Sequence, residues 1–295
     1  MRLLILGGAG MLGHKLVQTF RGDFETWTTL RGAFHEYERF GIFDRERTID
    51  GIDVTGDLEP VMRRARPDVI VNCVGIIKQL AAARDPIPSI TINSLLPHQL
   101  QRLAVSAGAR LIHFSTDCVF DGAKGMYTES DSSDAKDLYG RTKFLGETSG
   151  AGALTIRTSI IGRELQSASG LVEWFLASRG GRVKGWRRAI YTGFTTNVMA
   201  RIVRDLITNY SNLDGTIQVS SDPIDKYALL LLVRDAFHAD VEVAPDDAVA
   251  IDRSLDSTRF RQLTGFTPPS WETMIEEMAS DPTPYDEWRY QATSS

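Results

Sequence analysis

Residues 2–13 read RLLILGGAGMLG and are the strongest indication of the fold. The apolar run 3–6 has the composition of a buried strand, and glycines at 7, 10 and 13 follow it. Apolar residues then recur at helical spacing as far as Phe20. The order predicts a strand, a tight turn and a helix. Glycines permit such a turn and let the backbone approach an anion, which the amino end of a helix attracts.

The alternation of strand and helix continues through the first half of the chain. Further apolar strand patterns lie at 26–30, 68–74, 110–115 and 154–158. Helical patterns separate them, notably at 58–65 and 93–107. Strands that alternate with helices form a parallel sheet covered on both faces. The sequence therefore predicts an α/β fold with a Rossmann-type doubly wound parallel sheet.

The second half is less regular and predicts a smaller C-terminal α/β lobe. Glycines at 162, 170, 180, 181, 185 and 193 interrupt short segments. We predict helices at 171–178, 198–209, 226–236 and 271–278, with short strands at 216–219 and 241–243. Residues 1–160 are expected to form the dinucleotide-binding domain, completed by a segment near 190–220, and 161–295 the substrate lobe. The tail from Asp281 is expected to cross the surface or fray.

Composition excludes several classes of protein. The net charge of −5 argues against a general binder of nucleic acid or of membrane surfaces. No apolar run approaches the roughly 20 residues of a membrane span. The two cysteines, Cys73 and Cys118, are too few for a disulfide framework and indicate a reducing cytoplasm. The five histidines lack the spacing of a metal site, so we predict no metal.

Several residues of the first half are candidates for binding a dinucleotide. Besides the three glycines, Met11 and Leu12 lie within the turn. Arg31 follows the second strand, where an arginine can pair with the 2′-phosphate of NADP and an acidic residue would favour NAD. Asp53 and Val54 precede the third long strand, where a carboxylate can accept a hydrogen bond from adenine. The alternative for Arg31 is a solvent-exposed charge in a loop, and the alternative for Asp53 is an ordinary turn residue.

A second motif is typical of proton transfer. Tyr139 and Lys143 are four residues apart and share a helix face, so that the ammonium is expected to favour the phenolate. A YxxxK pattern alone occurs by chance in many helices. Here Ser115, Thr116 and Asp117 precede it, at the carboxyl end of a buried strand where ligands of open α/β sheets bind.

Together these motifs resemble the dTDP-4-dehydrorhamnose reductase family of extended short-chain dehydrogenases. Residues 115–122 read STDCVFDG and 139–147 read YGRTKFLGE, where family members read STDYVFDG and YGxTKxxGE. The stretches 157–159 (RTS) and 255–260 (LDSTRF), with Trp271, extend the resemblance over most of the chain.

The resemblance implies roles for individual residues. Tyr139 would protonate the oxygen of a sugar ketone, Thr116 would hydrogen-bond the same oxygen, and Lys143 would bind the nicotinamide ribose. Asn93 matches an asparagine of the family, and the resemblance leaves open whether its role is structural or functional. The remaining positions that match cofactor-binding ones are Gly75, Ile76, Ile77 and Ser115.

Departures from the family concentrate on the expected substrate side. Cys118 replaces a tyrosine, Ile160 replaces a tryptophan of some members, and Lys78 follows the third strand. The usual Arg-Pro pair is absent around 251–254. We therefore take Lys78, Asp117 and Cys118 as candidate substrate contacts. A basic cluster supplies a further candidate for a substrate diphosphate, Arg187, beside Arg182, Lys184, Trp186 and Arg188.

The expected activity is reduction of a keto group on a nucleotide-linked deoxysugar, with NADP as cofactor and NAD as the alternative. A non-catalytic regulatory subunit that keeps the fold is a second hypothesis, and a sugar-nucleotide epimerase or dehydratase is a third. A homodimer is compatible with all three.

Overall fold

A computed structural model describes residues 1–79 and 81–293 and shows a seven-stranded parallel sheet with a second, smaller sheet. The strands are β1 (Arg2–Leu6), β2 (Glu25–Thr29), β3 (Thr48–Ile49), β4 (Val69–Asn72), β5 (Arg110–Phe114), β6 (Ala153–Arg157), β7 (Ile160–Ile161), β8 (Gly181–Tyr191), β9 (Phe194–Thr195), β10 (Gly215–Gln218), β11 (Ile224–Asp225) and β12 (Val241–Asp252). The helices are α1 (Met11–Phe20), α2 (Glu59–Ala65), α3 (Pro86–Ser89), α4 (Leu96–Ala107), α5 (Leu138–Leu145), α6 (Leu171–Leu176), α7 (Thr196–Thr208), α8 (Lys226–Ala236), α9 (Thr258–Thr264), α10 (Trp271–Ala279) and α11 (Tyr285–Thr293).

The strands of the main sheet lie in the order β10-β6-β5-β4-β1-β2-β3. From β1 the chain first adds β2 and β3 on one side, and then adds β4, β5, β6 and β10 on the other. Successive side chains of β1 point to opposite faces. Leu3 and Ile5 belong to a core that includes Leu16 of α1, whereas Leu4 and Leu6 belong to a core that includes residues of α2 and α4. Both faces are therefore covered, and the predicted doubly wound α/β fold is confirmed.

The predicted helices recur with small shifts, and α8 has the predicted bounds. The predicted helix 93–107 is longer and less regular, because a π-helical turn at Ile90–Leu95 joins α3 to α4. It ends at Gly108, whose φ of +65° suits glycine. β10 pairs with β6, so the segment near 190–220 supplies the seventh strand. The domain boundary near residue 160 stays a prediction.

The second sheet, of order β11-β8-β12, shows where the sequence-based prediction was wrong. Residues 181–191 form one long strand rather than short interrupted segments, and β12 extends far beyond the predicted 241–243. Gly185 lies within β8, and a Cβ there would lie 2.7 Å from Cδ2 of Tyr227 in α8. Glycine here permits close packing of a helix on the sheet rather than a turn.

The tail is also more ordered than predicted. It forms α11, in which Tyr285 and Trp288 lie three residues apart and are both buried. The Trp288 ring lies 5.0 Å from that of Phe40, and the Tyr285 hydroxyl is 2.7 Å from Nε2 of His14. The end of the chain is thus packed on the N-terminal half. Ser294 and Ser295 lie outside the described residues.

Candidate active site

The glycine-rich turn after β1 is closed as tightly as its sequence predicts. Gly7 has φ of +80°, and the Gly10 amide donates to its carbonyl oxygen at 3.0 Å. A Cβ on Gly13 would lie 2.1 Å from the same oxygen. α1 begins at Met11, so the amides of Met11 and Leu12 start a helix and have no partner within its first turn. The turn therefore presents backbone donors and the positive end of a helix dipole.

Arg31 and Asp53 lie together beyond the ends of β2 and β3. Arg31 is exposed. Oδ1 of Asp53 accepts from the amide and the hydroxyl of Thr55, at 2.9 and 2.8 Å. These hydrogen bonds, with a smaller contribution from Arg31, hold the pKa of Asp53 below its usual value. Asp53 therefore closes a turn, while Val54 packs on the core.

The backbone after β4 is held by Asn93 from the π-helical turn. Its Oδ1 accepts from the Ile76 amide at 2.9 Å, and its Nδ2 donates to the Ile76 carbonyl at 3.0 Å. Gly75 remains exposed, and a Cβ there would lie 4.0 Å from Nζ of Lys143. Asn93 therefore holds the backbone of 75–77 beside Lys143. Its role in the structure is thus a structural one.

α5 carries both Tyr139 and Lys143 to the carboxyl edge of the sheet. Asp137 caps this helix by accepting from the Gly140 amide at 2.8 Å. A Cβ on Gly140 would lie 2.2 Å from the Cys118 carbonyl oxygen, so glycine lets α5 pack on the turn after β5. Nζ of Lys143 donates to the Phe114 carbonyl at 2.6 Å. Burial lowers the pKa of Lys143 to about 8, against an opposing effect of Glu147.

The ionisation of Tyr139 differs from the expectation that Lys143 favours the phenolate. Burial raises the pKa of the Tyr139 hydroxyl, and the nearby Cys118 and Asp117 act in the same direction. The Thr116 side chain is close enough to oppose this shift by hydrogen bonding. Tyr139 is therefore a protonated phenol at neutral pH, which is the form that donates a proton.

The turn after β5 supplies the other predicted residues. Thr116 Oγ1 accepts from the Cys118 amide at 3.2 Å and donates to Asp117 Oδ1 at 3.1 Å. Ser115 instead donates to Glu147 at 2.7 Å, and Glu147 is itself bound to a buried arginine, Arg157. The Ser115 side chain is thus held in the structure, whereas Thr116 and Asp117 lie beside Tyr139. Burial, with Asp117, raises the pKa of the Cys118 thiol to about 12, which is unsuited to a nucleophile.

Two predicted substrate contacts are paired with carboxylates of the protein. Lys78 donates to Asp137 at 2.7 Å at the exposed start of α5. Arg187 forms a bidentate ion pair with Asp247 across the β8–β12 pair. Its neighbours are paired in the same way, Arg182 with Glu242 at 3.3 Å and Lys184 with Asp246 at 2.9 Å. The acidic residues of β12 therefore neutralise most of the basic cluster.

The structure also brings residues to this site that the sequence did not single out. They are Tyr191 and Lys226, on whose pKa values Asp117 and Cys118 act, and Arg253, which opposes the rise in the pKa of the Cys118 thiol. None belongs to a recognisable motif. The sequence does draw attention to Arg253 in one way, since it lies at 251–254, where the usual Arg-Pro pair of the family is absent.

Two general properties bear on the class of protein. Among residues 1–79 and 81–293, no three His, Cys, Asp or Glu side chains are arranged to hold a metal ion. Over the same residues, no helix is both long and apolar enough to cross a membrane.

Comparisons with known proteins point in two functional directions. The family model described as the RmlD substrate binding domain matches residues 1–283. The chain is 26% identical over 257 residues to methionine adenosyltransferase 2 subunit beta of Mus musculus, covering 80% of this chain and 72% of that protein. It is 32% identical over 149 residues to the dTDP-4-keto-6-deoxy-D-glucose reductase of Streptomyces niveus, covering 50% of this chain and 46% of that protein.

Solved structures agree on the fold. A hypothetical dTDP-4-dehydrorhamnose reductase from Sulfolobus tokodaii is similar with a TM-score of 0.76 and 25% identity, over 92% of this chain and 98% of that one. The dTDP-4-dehydrorhamnose reductase of Bacillus anthracis, in complex with NADP, has a TM-score of 0.76 and 20% identity, over 94% of this chain and 98% of that one.

Proposed function

This chain belongs to the family described as the RmlD substrate binding domain, and from that premise we propose that it reduces a keto group on a nucleotide-linked deoxysugar with NAD(P)H. The resemblance drawn from its motifs is confirmed by the family match and by the fold of the reductases. The observation that carries the proposal is the placement of Tyr139, Lys143 and Thr116 at one edge of the sheet, beside the exposed backbone of Gly75.

The residues of the glycine-rich turn fit a dinucleotide. Any side chain at Gly7 or Gly13 would collide with the backbone or with Val74, so the turn keeps an open surface for a pyrophosphate. Met11 and Leu12 would supply amides, while Gly10 closes the turn through its own amide. Gly75, Ile76 and Ile77 would lie under the nicotinamide half. At the adenosine end, Arg31 favours the 2′-phosphate of NADP, with NAD as the alternative, and Asp53 and Val54 would border the adenine.

The proposed catalytic roles are those that the family resemblance implies, and the ionisation and contacts of three side chains support them. When bound, the nicotinamide supplies the hydride that reduces the carbonyl carbon. Tyr139 donates its proton to the carbonyl oxygen as negative charge develops there. Thr116, by turning its hydroxyl from Asp117 toward that oxygen, stabilises the same charge. The Lys143 ammonium, which the Phe114 carbonyl holds beside Gly75, binds the ribose hydroxyls of the cofactor.

A second candidate function is a partner-binding subunit without turnover. The observation that favours it is the extent of the match to the murine methionine adenosyltransferase subunit, which is longer than the match to the Streptomyces reductase. The presence of Thr116, Tyr139 and Lys143 in one site favours the reductase.

A ligand panel tests the proposal. The melting temperature would be measured with NADPH, NADH and several 4-keto-6-deoxy sugar nucleotides, since a ligand that binds the native state raises it. The proposal expects a rise with NADPH and a further rise with a sugar nucleotide, followed by oxidation of NADPH in the mixture. Stabilisation by NADPH with no response to any sugar nucleotide would favour the subunit.

A further inference from the structure

The end of β2 is hydrogen-bonded to the glycine-rich turn. The Gly8 amide donates to the Thr29 carbonyl at 3.0 Å, and the Gly7 amide donates to the Thr29 hydroxyl at 3.1 Å. The backbone that follows β2 therefore starts beside the turn that would hold the pyrophosphate. In dinucleotide-binding folds the residues after the second strand face the 2′ position of the adenosine ribose. Residues 30–33 would accordingly border that ribose.

The Glu36 carboxylate folds back over this backbone. Glu36 ends a single 3-10 turn at Phe34–Glu36, and its Oε1 accepts from the Ala33 amide at 3.1 Å. A Cβ on Gly32 would lie 2.5 Å from the other oxygen, Oε2. Glycine at position 32 therefore leaves the space in which the carboxylate lies against the main chain, directly after Arg31.

The same carboxylate is accessible to a ligand. Glu36 is exposed, and within the described part of the chain only the Ala33 amide donates to it. The neighbouring Asp50 is by contrast occupied, since it accepts from the Phe34 amide at 2.7 Å and from Arg45 at 3.0 Å. Oε2 of Glu36 can therefore accept a hydrogen bond from a bound molecule.

We infer that Glu36 is a specificity-determining residue, which accepts a hydrogen bond from the adenosine ribose of NADH and disfavours the 2′-phosphate of NADPH. The inference rests on the dinucleotide binding of the proposed function. A ribose hydroxyl has a proton to donate to the carboxylate, whereas the phosphate is an anion that the carboxylate repels. Arg31 acts in the opposite sense, because its cation attracts the phosphate. The preference between the two cofactors is then the difference between these two effects.

Fluorescence titration of the full chain with NADPH and with NADH tests this inference. Glu36→Gln keeps an acceptor for the Ala33 amide and removes only the charge, and it should raise the ratio of NADPH affinity to NADH affinity roughly tenfold. Glu36→Lys reverses the charge and should raise the ratio further. Glu38→Gln is the matched control, an exposed carboxylate two residues away, and should leave the ratio within about twofold of wild type. The melting temperature without ligand should be the same in wild type and Glu36→Gln, which a merely structural role would not allow.

Three results would overturn the inference. They are an unchanged affinity ratio in both Glu36 variants, an equal change of the ratio in Glu38→Gln, or a loss of affinity by the same factor for both cofactors. Binding of neither cofactor to wild type refutes the inference together with the proposed function. A shifted ratio in a protein that reduces no keto sugar refutes only the proposed reductase activity. Reduction of a keto sugar by wild type, with the wild-type ratio retained in Glu36→Gln and Glu36→Lys, refutes only the inference.

Discussion

Acidification should destabilise the protein through His14, which joins the glycine-rich turn to the C-terminal helix. The ring is fully buried, with Nδ1 2.8 Å from the Gly10 carbonyl oxygen and Nε2 2.7 Å from the Tyr285 hydroxyl. Burial lowers the pKa of His14 from 6.5 to about 4. The folded protein therefore keeps this imidazole neutral at a pH where the unfolded chain binds a proton.

The size of the effect follows from linkage between protonation and folding. Because the folded pKa is lowered, the stability contributed by neutral His14 is present above pH 6.5 and is lost as the pH falls toward 4. With these two pKa values, the loss between pH 7 and pH 5 amounts to about 2 kcal/mol of the free energy of unfolding. This is a substantial part of the roughly 5–15 kcal/mol typical of a domain.

Urea denaturation at pH 7 and at pH 5 measures this loss. The comparison is between wild type and His14→Gln, which keeps a hydrogen-bonding side chain but does not titrate. We expect wild type to lose about 2 kcal/mol more than the variant over this interval, since the other titrating groups are common to both. Parallel losses in the two proteins would refute the reasoning about His14, whatever the absolute stability of the variant.

Three further predictions concern the cofactor. Gly13→Ala should abolish dinucleotide binding, because the alanine Cβ would lie 2.1 Å from the Gly7 carbonyl oxygen. Normal affinity of this variant for NADPH, measured by fluorescence titration, would contradict the prediction. The value of kcat/KM should fall above about pH 8, because Lys143 then loses its proton. Lys143→Arg, if it retains activity, should move this fall in kcat/KM to higher pH. A flat pH profile of wild type up to pH 10 would exclude a role for the Lys143 ammonium. Arg31→Ala should weaken NADPH roughly tenfold to a hundredfold and leave NADH nearly unchanged, whereas an equal loss for both cofactors would show that Arg31 acts through the fold.

Local patterns predicted most elements of the first half of the chain, but not the short strand β3 or the π-helical turn before α4. The strand, turn and helix at 2–20 depend on glycines and apolar residues that are neighbours in sequence. The position of Tyr139 and Lys143 on α5 likewise follows from their spacing of four residues. The predicted positions of these elements were accurate because nearby residues determine them.

Contacts between distant residues account for what the sequence did not predict. Glycines predict short interrupted segments where β8 lies, yet Gly185 is required by the packing of Tyr227, more than forty residues away. The basic residues of β8 looked free because their carboxylate partners lie on β12, as with Arg187 and Asp247, which are 60 residues apart. Lys226 and Arg253 likewise reach the site only through the packing of the second sheet.

Reduction of a nucleotide-linked keto sugar is tested by following the oxidation of NADPH in the presence of dTDP- and UDP-linked 4-keto-6-deoxy sugars, with wild type and with Tyr139→Phe. Wild type should oxidise NADPH and form one reduced sugar for each cofactor consumed. Tyr139→Phe should bind NADPH almost normally and retain no more than a few per cent of the wild-type kcat, since it lacks only the proton donor. NADPH binding by wild type without reduction of any of these sugars, or full turnover by the phenylalanine variant, would contradict the account.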